Sequence, residues 1–149
     1  MTVTLRELTK EDFFECTKLK PKDDQVNFVA PNVFSIAQSK FFPDTRPQAI
    51  YADDTMVGFV MWGVDVDENP TEMWVWRMMI DAAHQGKGYG QSAMEQVIAA
   101  VKAAGHDALF LSYQPDNIGA AQFYAKLGFT ETGRIEHGEI VVRLDLNEE

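Results

Sequence analysis

The sequence predicts an α+β fold in which a mixed, mostly antiparallel central sheet of about six or seven strands carries about four helices on its two faces. Three observations lead there. Short β-rich runs separated by tight-turn residues fill the stretch from 48 to 80, apolar spacing changes to the helical period after Gly88, and another β-rich run follows at 108–113. A helix between two such runs makes a crossover to a parallel neighbour. The 149 residues suit one domain spanning 1–149, because they can build one sizeable core and contain no repeat, linker or low-complexity segment.

Each element has its own signal. Val3 to Leu8 reads as a short strand, and Thr9 is placed to cap a helix that carries Glu11 and Asp12 in its first turn, runs to about Leu19 and is stopped by Pro21. Asn32 is placed to cap a second helix through Ser35 to about Lys40, with Pro43 and Pro47 bracketing its exit. A three-strand meander follows: Gln48 to Ala52, Thr55 to Val64 and Thr71 to Ile80, joined by turns at Asp53-Asp54 and at Asp67 to Pro70. Ala93, Val97, Ile98 and Val101 recur at helical spacing, and Gly105 supplies the stop. Ala108 to Tyr113 is a strand, and Asn117 opens a helix that ends at Gly128. The tail sets Ile140, Val142, Leu144 and Leu146 against Glu139, Val141, Arg143 and Asp145, the alternation of a terminal strand. The order is therefore β-α-α-β-β-β-α-β-α-β-β.

Composition removes several functional classes. The formal net charge of −10, from 23 acidic and 13 basic residues, repels phosphate backbones and anionic lipids and concentrates cations. Nucleic acid and membranes are thus poor partners, and small cationic amines good ones. No apolar run approaches the ~20 residues of a bilayer span, and Met1 to Leu8 lacks the layout of a secretion signal, so a cytoplasmic location is expected. Cys16 is the sole cysteine and falls on the apolar face of the first helix, which predicts a buried thiol rather than a nucleophile. His84, His106 and His137 have no metal-ligand spacing, and no metal is expected.

The most informative segment is His84-Gln85-Gly86-Lys87-Gly88-Tyr89-Gly90. Its alternating glycines sit between a strand and a helix, where the backbone can turn tightly and point unpaired N–H groups outward. With the positive end of the helix and the cation of Lys87, those groups make a seat for a pyrophosphate. A triphosphatase loop would need Gly-Lys-Ser/Thr, but Gly88 follows Lys87; a dinucleotide fold would need G-x-G-x-x-G early in a βαβ unit.

With Gln85-Gly86-Lys87-Gly88-Tyr89-Gly90 matching Gln/Arg-x-x-Gly-x-Gly/Ala, the chain resembles the GCN5-related N-acetyltransferase (GNAT) superfamily. Asn117, Ala120, Phe123-Tyr124, Lys126 and Gly128-Phe129 look like that family's second element at its usual distance downstream. The resemblance implies a coenzyme A cleft between splayed strands 4 and 5, with acetyl-coenzyme A as cosubstrate and its pantetheine inserted as a pseudo-strand. It places Met78, Met79 and Ile80 where the backbone bonds the pantetheine, and Gln85 to Gly90, Asn117 and Tyr124 around the coenzyme. It also implies a bulge in the strand before the glycine loop.

Acetyl transfer from a thioester needs a neutral amine, a donor for the developing oxyanion and a proton for the departing thiolate. Tyr124 is the candidate acid, in the place where the resembled family holds such a tyrosine; the alternative is a core aromatic on an amphipathic helix. A backbone N–H of Met79 or its neighbour is the candidate oxyanion donor. Glu72, two residues before Trp74 and on the same strand face, is the candidate base, and a solvated hairpin-end glutamate is the other reading of it.

Nearly the full chain is similar to bacterial diamine and spermidine/spermine acetyltransferases. The likeness lies in Asn27-Phe28-Val29-Ala30-Pro31-Asn32, in Met56-Val57-Gly58-Phe59-Val60 and in Trp76-Arg77-Met78-Met79-Ile80-Asp81. It implies a polyamine or diamine acceptor, for which Phe28, Glu72 and Trp74 are the substrate-site candidates. Carboxylates and aromatic faces are what such a chain of amines requires. Another amine, such as an aminoglycoside, an amino acid or a protein N-terminus, and a coenzyme A-binding module without turnover are the competing readings. The family commonly dimerises through sheet edges, and the terminal strand Glu139 to Leu146 is the candidate edge for a homodimer.

Overall fold

Tight turns between successive strands give the first half of the sheet its antiparallel order. Asp53, at a φ of 53°, closes the hairpin between β2 (Thr45–Ala52) and β3 (Thr55–Asp65), and β3 turns into β4 (Asn69–Ile80). The computed structural model describes residues 1–147. Around that meander lie β1 (Val3–Glu7), α1 (Phe13–Lys18) and α2 (Asn32–Phe41) on the N-terminal side. After it come α3 (Tyr89–Ala103), β5 (Ala108–Tyr113), α4 (Ile118–Lys126), β6 (Thr130–Glu136) and β7 (Glu139–Asp145). The element order is the one expected, and the fold is α+β: among the described residues, one seven-stranded mixed sheet, β1-β2-β3-β4-β5-β7-β6, with four α-helices. Among the described strands only β4 and β5 pair in parallel, joined by the α3 crossover.

Each sheet face has its own core. Val97 and Val101 of α3 and Phe123 and Tyr124 of α4 pack with Ile50, Val60, Val75, Leu109 and Val142 on one face. On the other, Cys16 of α1 and Ile36 of α2 pack with Ala49, Phe59, Met61 and Met79. Cys16 is fully buried, and burial, helped by the charge of Asp12, pushes its thiol up to about 12.

Several expectations change. The first helix begins at Phe13, after Asp12, because the Asp12 carboxylate accepts from the Thr9 amide at 2.7 Å and closes a turn ahead of the helix. Asn32 is the first residue inside α2 rather than its cap; its buried amide donates to the Cys16 carbonyl at 2.9 Å and ties α2 to α1. Pro47 lies within β2, which is possible because β1 ends opposite Gln48 and asks no hydrogen bond of residue 47. The terminal strand is not a sheet edge: β7 is inserted between β5 and β6, which leaves β1 and β6 outermost. A dimer through the edge of β7 is therefore ruled out, since both of its sides are already paired.

Candidate active site

One local mismatch in pairing opens the site. β4 and β5 are in register at Met73 with Leu109 and Trp74 with Phe110, and from Val75 and Leu111 onward they part. On its other side β4 stays paired with β3, but Met61 faces Arg77 while Trp62 faces Val75, so Trp76 is an extra residue. The bulge changes which side chains face α3: Met73 and Val75 before it, Met78 and Ile80 after it. Between the parted strands lies a cleft of about 1050 Å³. Along it the edge of β4 from Val75 to Ile80 has no strand partner; side chains bond its Trp76 and Ile80 carbonyls, and the rest of the edge can bond a ligand laid alongside.

The glycine loop forms one end of this cleft. Gly86 and Gly88 have φ of 79° and 82°, where a side chain is strained, and a β-carbon at either would meet nothing within 4 Å. Gly90 differs: a β-carbon there would stand 3.3 Å from Met78 Cε and 3.5 Å from Phe123 Cζ, so it lets α3 approach β4 and α4. The first helical bond runs from the Ser92 amide to the Gly88 carbonyl at 3.1 Å, which leaves the amides of Tyr89, Gly90 and Gln91 without helical acceptors. Gln85 braces the loop by donating to the Ile80 carbonyl at 2.9 Å and to Gln25 at 2.8 Å. The Tyr89 side chain is buried in the core and its hydroxyl donates to Met1 Sδ at 2.9 Å, so only its backbone serves the cleft. Lys87 is exposed and lies outside the cleft lining.

The opposite wall comes from β5 and α4. Asn117 caps α4, its Oδ1 accepting from the Ala120 amide at 3.1 Å, and it lines the cleft. Tyr124 stacks on Tyr113 with ring centroids 6.4 Å apart and meets Phe123 and Phe129 edge-on. Its ring is thereby fixed against the cleft, and burial raises its phenol above the usual range.

The cleft also reaches the β3–β4 and β6–β7 hairpins. Phe28 and Trp74 line it, with Asp65, Glu68, Glu136 and Glu139. Arg77 lines it too, donating to Gln38 at 3.2 Å and to the Trp76 carbonyl at 2.7 Å, with no ion pair among the described residues and its Nε unpartnered. Glu139 accepts from the Ser112 hydroxyl at 2.8 Å. The loop carrying Phe28 spans the mouth, tied to the glycine loop through Gln25 and to β5 by Gln114 Nε2, which donates to the Asn27 carbonyl at 3.1 Å.

Glu72 stands apart. It precedes Met73, on the closed side of the V, and does not line the cleft. Its carboxylate accepts from Arg134 at 2.8 and 3.2 Å and from Trp74 Nε1 at 3.0 Å. The Arg134 bonds hold it below the usual carboxylate range, against the opposing effect of burial. A carboxylate so held is a poor proton acceptor, and Glu72, the expected base, lies outside the cleft lining.

Residues 3–129 match the acetyltransferase (GNAT) family. The chain belongs to that family. Over 98% of its length and all of the relative's, this GNAT protein is 24% identical to the spermine/spermidine N(1)-acetyltransferase of Bacillus subtilis (strain 168). It is 24% identical to the L-2,4-diaminobutyric acid acetyltransferase of Wolinella succinogenes, over 66% of this chain and 57% of that one. Among solved structures, the spermidine N-acetyltransferase of Vibrio cholerae, in complex with CoA and spermine, superposes with a TM-score of 0.73 at 17% identity, covering 95% of this chain and 92% of that one. That likeness is one of fold. Among the described residues of this GNAT domain no group of three or more His, Cys, Asp or Glu side chains could hold a metal, and no helix is long and apolar enough to cross a membrane.

The GNAT cleft brings together Met78, Met79, Ile80, Gln85, Gly86, Gly88, Gly90, Asn117, Tyr124, Phe28 and Trp74, and leaves out Glu72 and Lys87. Sequence reasoning missed Ser112, Glu139 and Arg77. The one signal for Glu139 is its place on the polar face of the last strand, and nothing in that pattern says which strand lies beside it.

Proposed function

We propose that this GNAT protein moves the acetyl group of acetyl-coenzyme A to a primary amine of a polyamine or diamine, such as spermidine or spermine, by direct attack with Tyr124 as general acid. The observation that carries the proposal is the parting of β4 and β5 beyond Trp74 and Phe110, with free helix amides at one end and Tyr124 in one wall. The residues fit the coenzyme: the unpaired β4 edge from Val75 to Ile80 suits an extended pantetheine, and the amides of Tyr89, Gly90 and Gln91 suit its pyrophosphate. When bound, acetyl-coenzyme A supplies an activated acyl group.

The chain's own residues do the rest. A backbone N–H of Met79 or its neighbour donates to the carbonyl oxygen as charge develops there. Tyr124, kept protonated by burial, holds its hydroxyl proton for the sulfur; the same burial that raises the phenol also raises a thiolate, so the transfer is not made harder by the shift itself. For the acceptor, the carboxylates of Asp65, Glu68 and Glu139 in the cleft lining attract ammonium groups, and Phe28 and Trp74 offer faces for methylenes and charged nitrogens. The names of the Bacillus and Vibrio relatives point to the same substrate class.

A second reading has its own observation. Arg77, partly buried in the cleft with its Nε unpartnered among the described residues, would suit a carboxylate on the acceptor, as in a diamino acid. An amine panel with acetyl-coenzyme A, followed by thiol release, separates the two. Turnover with spermidine or spermine and little with diaminobutyrate supports the first; the reverse pattern retires it for the second. Tyr124→Phe should lower kcat by about 10²-fold or more with coenzyme affinity kept, and an unchanged kcat would remove Tyr124 from the chemistry.

A further inference from the structure

We propose that Glu139, held by Ser112, is the general base that takes the proton from the attacking ammonium group. The inference rests on the amine-acetylation reading above and assigns a residue to the step that reading leaves open.

Facing decides which carboxylate can act. Leu109, Leu111 and Tyr113 of β5 pack toward α3 and α4, where Tyr113 stacks on Tyr124. Ala108 and Phe110 pack on the opposite face with Trp74 and Val141, and alternation puts Ser112 on that face as well. Glu139 shares the parity of Val141, and the 2.8 Å bond from Ser112 fixes it across β5 from Tyr124. Acid and base thus stand on opposite sides of the strand that walls the cleft. An amine entering over Trp74 meets Glu139, and the leaving sulfur meets Tyr124.

The other carboxylates there are paired with Arg134 or sit at the β3–β4 turn. Glu72 and Glu136 both pair with Arg134. Asp65 accepts from the amides of Asp67 and Glu68 at 3.0 and 3.2 Å, and Glu68 is exposed on the hairpin turn. Glu139 is half-buried on a strand, with one oxygen engaged by a neutral hydroxyl and no ion pair among the described residues, which leaves the other oxygen for an ammonium. Its charge is felt by Arg77 from β4. Around it stand Glu136, its register partner on β6, with Arg134 paired to that Glu136, His137 of the hairpin, and Tyr113 and Tyr124 across β5.

The protons balance. One N–H proton of the ammonium goes to Glu139, directly or through one water, leaving a neutral amine. The C–N bond forms as the C–S bond breaks, and Tyr124 gives its proton to the sulfur. The new amide nitrogen sheds its surplus proton, which restores Tyr124, and Glu139 returns its own to solvent, so one proton is released per turnover.

An alkylammonium with a pKa of about 10.4 is neutral to only about one part in 10³ at pH 7, so an enzyme without its base must rely on that fraction. With saturating acetyl-coenzyme A and spermidine or diaminobutyrate, whichever the wild type uses, kcat/KM is measured from pH 6 to 10. Glu139→Gln, which keeps an acceptor for Ser112, should lose about 10²- to 10³-fold at pH 7 and climb roughly one decade per pH unit until it nears the wild type. Its melting temperature and its calorimetric affinity for coenzyme A should match the wild type. Ser112→Ala should lose about tenfold with the same pH trend, and His137→Ala should keep the wild-type pH trend. A Glu139→Gln deficit that is the same factor at every pH, or no deficit, overturns the assignment while leaving amine acetylation intact. A wild type inactive on every amine overturns both.

Discussion

The Glu72 and Arg134 pair gives a prediction that separates a clamp from a base. Arg134 of β6 donates to Glu72 of β4 at 2.8 and 3.2 Å, also pairs with Glu136, and lies over the rings of Trp74 and Phe110 at 5.9 and 5.5 Å. It therefore pins the β6–β7 hairpin to the closed end of the cleft. A bidentate charged hydrogen bond can be worth about 1.5–3 kcal/mol, but these side chains are 22% and 37% exposed, so solvent screening brings the expected coupling down to about 1–2 kcal/mol. For a chain of this size that is about 2–8 °C in Tm. A double-mutant cycle of Glu72→Gln and Arg134→Met, read by urea unfolding, measures the coupling directly. The sign with pH follows from the shift: a folded carboxyl held below its unfolded value of 4.5 contributes stability that is fully present above that pH and lost as pH falls below it. Glu72→Gln should flatten that acid limb and leave kcat within about threefold. A coupling near zero together with a large, pH-dependent loss of kcat in Glu72→Gln would refute the clamp and restore Glu72 as the base.

Three further outcomes are expected. Gly88→Ala forces a side chain into a φ of 82° and should cost about 1–2 kcal/mol of stability; because it also tilts the first amides of α3, calorimetry should show a weaker affinity for coenzyme A. Asn117→Ala removes the cap on the Ala120 amide and should cost about 1 kcal/mol by thermal unfolding, with a lower kcat because α4 carries Tyr124. Cys16, fully buried and pushed up to about 12, should react with a disulfide reagent at pH 8 at least 100-fold more slowly in the folded protein than in urea. Since its folded pKa is raised, its contribution to stability should hold below pH 9 and fall between pH 9 and 12, so Cys16→Ala should make the alkaline loss of stability shallower.

The parts of the site legible in the sequence are those whose chemistry is written locally. Gly86 and Gly88 sit at positive φ in a turn built from consecutive residues, and Asn117 caps the helix that begins one residue later. The meander strands were legible for the same reason, since Asp53 lies between two runs that pair with each other. The start of α1 was not, because both Thr9 and Asp12 are capable caps and the choice falls to a side chain that folds back on the Thr9 amide. Pro47 reads as a breaker until the length of β1 is known, since only the end of β1 beside Gln48 frees residue 47 from its hydrogen bond.

The position of Glu72 outside the cleft has one physical source. Alternation along β4 does put Glu72, Trp74 and Trp76 on a common face, but a shared face does not fix which stretch of a strand is open to a ligand. That is set by the β4–β5 register, which closes at Trp74 and Phe110 and leaves Glu72 behind the apex. The sheet order then supplies a carboxylate from elsewhere. Inserting β7 between β5 and β6 carries Glu139 to Ser112 across 27 residues of chain, a neighbour that no window along the sequence contains. Had the sheet closed in chain order, with β6 beside β5, that wall would have met Arg134 and Glu136, which are occupied with each other. A free carboxylate facing the amine therefore depends on strand order, and a topology that keeps every residue of the coenzyme loop intact could still lack it.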